Sequence, residues 1–115
     1  MKPWEEIAVA FATALVEERF QQAHDLLAPQ ARFELTPESL REKLHGMYRG
    51  YAEGPPEKAE LVTEGSREDW PSKHPGDVGW AYVGIEGHDF VEAVTVIVAK
   101  IDCAFLIRDV EWGRP

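Results

Sequence analysis

Apolar residues return every three or four positions in the first half of the chain and every second position in the second half. Trp4, Ile7, Ala8, Phe11 and Leu15 form one stripe, which predicts a helix over residues 3–20. Pro3 suits its first turn, where a missing N–H costs nothing. Glu5 and Glu6 complement the positive end of the helix dipole. Alanines at 8, 10, 12 and 14 favour helix and permit close approach of another element. A second, short helix is expected over 21–28, stopped by Pro29, because the residue before a proline avoids the helical region. A third is expected over 36–51, with Thr36 as its cap and Pro37 in the first position. Leu40, Leu44, Met47, Tyr48 and Tyr51 make its stripe, and Gly50 and Gly54-Pro55-Pro56 close it.

Beyond residue 57 the period predicts strands over 58–65, 78–86, 89–100 and 103–112. A polar loop with Pro71, Pro75 and Gly76 separates the first two. Gly87-His88 suits a two-residue type II′ connection between the second and third. The run Val94-Thr95-Val96-Ile97-Val98 is apolar on both parities apart from Thr95, so the third strand should be central and covered on both faces. The class is α+β: three N-terminal helices packed on a curved antiparallel sheet of about four strands, in one domain over 1–115.

This order resembles the nuclear-transport-factor-2-like superfamily, the cone-shaped, cystatin-like α+β fold shared with ketosteroid isomerases and polyketide cyclases. The resemblance rests on the opening helix, Asp25-Leu26-Leu27-Ala28-Pro29, Thr36-Pro37-Glu38-Ser39-Leu40 and the closing Ile107-Arg108-Asp109-Val110-Glu111-Trp112-Gly113. It covers nearly the whole chain and is one of architecture. The superfamily holds enzymes, carriers and partner-binding domains, so the resemblance leaves function open.

Charge and cysteine content narrow the field. The net charge of −9 disfavours nucleic acid and anionic membranes as partners. No apolar run approaches the ~18 residues that span a bilayer. Cys103 is the one cysteine, so no internal disulfide can form, which fits a reducing compartment. The opening Met1-Lys2-Pro3-Trp4-Glu5-Glu6 lacks the apolar core of a signal peptide, and the cytoplasm is the expected location. No zinc pattern joins His24, His45, His74 and His88, and no metal is expected. Ser39, Ser66 and Ser72 lie in no nucleophile elbow, and no phosphate-cradling glycine loop occurs, so no cofactor is implied.

One constellation points to a pocket. With Gly87-His88 as the loop, Glu86 faces Asp89, Trp80 faces Thr95 and Tyr82 faces Ala93. If the last hairpin sets Ala93 against Asp109, Thr95 meets Ile107 and Ile97 meets Phe105. One face then carries Trp80, Tyr82, Thr95, Ile97, Phe105, Ile107 and Asp109. The other carries Val83, Val94, Val96, Leu106 and Val110, with Glu92 diagonal to Arg108 as a cross-strand ion pair. Two aromatics, a hydroxyl and a carboxylate on apolar ground are the make-up of a small-molecule site, and an enclosed Asp109 could serve as a base. A one-residue slip would move Asp109 to the other face.

Ketosteroid isomerases use a carboxylate base with a Tyr and a protonated Asp as oxyanion donors. In those enzymes the Tyr comes from the first helix, where this chain has Phe11 and Leu15 on the stripe and no Tyr. The expectation is therefore a non-catalytic domain binding a small apolar ligand or a protein partner. An isomerase- or cyclase-like enzyme and an acidic immunity-type or regulatory protein are the alternatives. A homodimer through the sheet face is compatible with the run at 94–98.

Overall fold

A computed structural model describes residues 1–50 and 52–113. Four helices, α1 (Pro3–Val16), α2 (Phe20–Asp25), α3 (Pro29–Glu34) and α4 (Pro37–Tyr48), precede four strands. The strands are β1 (Pro56–Leu61), β2 (Asp77–Gly87), β3 (Val91–Ile101) and β4 (Ala104–Trp112), with a short 3-10 turn at Thr63–Gly65 after β1. They form one antiparallel sheet in the order β1-β2-β3-β4. Among the described residues, no helix is long and apolar enough to cross a membrane.

The architecture is the expected α+β one, with local differences that have physical causes. The first helix ends at Val16, not at residue 20. Glu18 takes a left-handed backbone at φ 60°, and the N–H groups of Glu18 and Arg19 turn back to the carbonyls of Leu15 and Ala14. That double bond is a Schellman closure. The second helix ends at Asp25, not at Ala28, because Leu26 to Ala28 leave it to hydrogen-bond with Ile107 of β4, and Pro29 instead opens α3, since a proline ring is preset for a first helical position. Four helices therefore replace the expected three. Thr36 caps α4 as anticipated, its hydroxyl accepting from the Ser39 N–H at 3.1 Å. Tyr51, expected on the stripe of that helix, lies outside the described residues. The first strand starts at Pro56 and ends at Leu61, because Thr63–Gly65 coils into the 3-10 turn.

The helices cover one face of the sheet, here called inner. Phe11 and Leu15 of α1, Leu40 and Leu44 of α4, and Val83, Ile85, Val94, Val96, Val98 and Ile107 of the sheet pack there with essentially no exposure. Trp4 closes one end of this layer. Its ring occupies the space where a Cβ on Gly79 would stand, and its indole N–H donates to Glu68 at 3.2 Å. Gly79 is thus a packing requirement, because only a bare backbone leaves room for the indole.

A β-bulge in β4 decides which side chains face inward. Val98 pairs with Ile107 but Ile97 pairs with Asp109, leaving Arg108 as the extra residue. The extra residue reverses parity, so Phe105, Ile107, Val110 and Trp112 all reach the inner side. This corrects the expected last hairpin. Ile107 and Phe105 leave the outer face, and Leu106, opposite Ala99, joins it. The turn itself is Asp102-Cys103, both at positive φ (49° and 67°), as a type I′ hairpin requires.

Candidate functional site

The outer face of the sheet carries the residues singled out as a pocket. Tyr82 lies opposite Thr95, Trp80 opposite Ile97, and Ile97 opposite Asp109. The first hairpin turns at His88-Asp89, not Gly87-His88, with the Gly87 N–H donating to the Phe90 carbonyl. That shifts the expected pairs by two residues. A shift of two preserves parity, so Trp80, Tyr82 and Thr95 keep their common face. Trp80 and Tyr82 stack with centroids 6.2 Å apart and planes 7° apart, and the Arg67 guanidinium lies 5.1 Å over the Trp80 ring. Thr95 is 2 % exposed and Ile97 4 %.

Asp109 shares that face but is exposed, not enclosed. One of its oxygens accepts from the Val110 N–H at 2.9 Å. The Gly113 N–H donates into the sheet, to the Ala93 carbonyl, so strand alternation turns the Val110 N–H to the open edge. Asp109 therefore caps an edge donor. Nearby, the Ile107 N–H donates to Leu26 and its carbonyl accepts from Ala28, so the helix connection covers the same edge. An edge closed in these two ways resists pairing with another strand.

The expected Glu92–Arg108 pair does not match the observed register. Arg108 sits beside Ile97 and Val98, five residues from Glu92, roughly 17 Å along a strand. Arg108 instead reaches across β3 to Asp77, Nε to Oδ1 at 2.7 Å and Nη2 to Oδ2 at 2.8 Å. The His74 N–H adds a third bond to Oδ2 at 2.8 Å. Burial works to raise the Asp77 carboxyl, but the hydrogen bonds from Arg108 and His74 outweigh it and hold the group below its ordinary value. The same pairing raises Arg108 above its already high value. A cleft of about 500 Å³ lies beside this pair, lined by Pro29, Gln30, His74, Arg108 and Asp109 among others.

A second part of the outer face went unmarked in the sequence. A trough of about 440 Å³ runs from Tyr82 to the β2–β3 turn. Gly84 and Ala93, directly opposed, make its floor. Val62 and the half-exposed Val91 supply apolar wall. Glu60, Glu64 and Glu86 supply carboxylates, Glu92 borders it from the strand position opposite Ile85, and among the described residues the lining contains no Lys, Arg, His or Cys. Lys58 stands next to it, 3.6 Å from Glu60 and 3.3 Å from Glu86. The 3-10 turn braces the trough. The Ser66 hydroxyl donates to the Val62 carbonyl at 2.9 Å and accepts from the Tyr82 N–H at 3.0 Å. Two signals in the sequence pointed here: a glycine inside a strand, and glutamates at 60, 64 and 86 around it.

Chemically, the trough presents carboxylates, a phenol and apolar wall, a set suited to holding cations. Among the described residues, no group of three or more His, Cys, Asp or Glu side chains is arranged to hold a metal ion. Comparison with models of protein families, with curated proteins and with solved structures returns no match.

Proposed function

We propose that the protein is a non-catalytic binding domain of the nuclear-transport-factor-2-like type, and that it recognises a protein partner with the outer face of its sheet. The observation that carries this reading is where the free volume lies. The space between α1 and the sheet is filled by Phe11, Leu15, Val83, Val94, Val96 and Ile107, each without exposure, while the 440 Å³ trough opens on the outside. Support for the family is the run of N-terminal helices laid on one face of an antiparallel sheet. The carboxylate rim favours a protein surface over a small apolar molecule, since desolvating carboxylates against hydrocarbon is costly.

An isomerase-like or cyclase-like reaction finds less support, because Asp109 is exposed and caps a backbone edge. An acidic immunity-type or regulatory protein is the second reading. It is favoured by the net charge of −9 and by the same rim. The exposed, unpaired thiol of Cys103 supports a cytoplasmic setting.

Backbone-amide shift mapping tests the reading, with a panel of short peptides and of small apolar fragments as probes. Hits should move outer-face amides around Tyr82, Gly84, Ala93 and Thr95. Fragments that instead shift Phe11, Leu15 and Val96 would place the binding volume inside and sink the proposal.

A further inference from the structure

We draw no further inference here: the strongest candidate, the edge of β1 that faces away from β2, carries nothing, because nothing in the structure shows what covers it and its Lys58 is already shared by Glu60 and Glu86.

Discussion

Gly79 and Gly84 lie on one strand and face opposite ways, and the difference between them separates the two sides of the sheet. Gly79 looks inward and is filled from above by the Trp4 ring. Gly84 looks outward onto open volume rimmed by carboxylates. The inner face spends every small residue on packing, while the outer face leaves one unfilled. β3 repeats the contrast. Val94, Val96 and Val98 belong to the core under the helices, whereas Thr95 and Ile97, nearly as buried, lie on the outer side. The outer face is buried at Thr95 and Ile97 and opens toward Gly84.

The largest expected effect is on the inner face. Phe11→Ala should lower stability by about 3–5 kcal/mol in urea denaturation, because the filled layer cannot close over the lost ring. A loss under about 1 kcal/mol would mean that the inner face is looser than its burial says.

Next comes the Asp77–Arg108 pair, which ties β4 across β3 to the start of β2. Arg108→Ala should cost about 2–4 kcal/mol, somewhat below a fully buried pair because Arg108 remains a quarter exposed. The pH dependence follows from the lowered Asp77 carboxyl. A depressed folded value means that the contribution is full above roughly pH 4 and is lost as pH falls through the lower, folded value. Thermal melts of wild type and Asp77→Asn should run at a constant gap near neutral pH and converge in acid. A gap that widens in acid would contradict the pairing.

The glycine comparison can be broken directly. Gly79→Ala should destabilise by about 1–3 kcal/mol, since its methyl has nowhere to go without moving Trp4. The smallest effect has the opposite sign. Gly84→Ala should stabilise by about 0.4–1 kcal/mol, because the new methyl meets only ordinary contacts and the unfolded chain loses freedom. Two glycines with the same response would dissolve the distinction between a packed and an open face.

Much of this was legible in the chain. The stripe from Trp4 to Leu15, the Thr36 cap and the alternation of β2 each reported their element, because helix and strand periods are local properties. The shared face of Trp80, Tyr82 and Thr95 was also legible, since the hairpin error was an even number of residues. The last hairpin was misread. Apolar residues at 105, 107, 110 and 112 carry a spacing of two, three and two, which is the mark of a bulge. Read with a strict period of two, it put Ile107 on the wrong side and paired Arg108 with Glu92.

Sequence alone thus determined the kinds of element, their order and the composition of the buried stripes, because backbone propensity and amphipathic period act over a few residues. Only the tertiary structure decided the register of β4, the Asp77 partner of Arg108, the edge-capping role of Asp109 and the open floor at Gly84. Each of those depends on which residues from distant segments meet, and one extra residue in a strand is enough to exchange its faces.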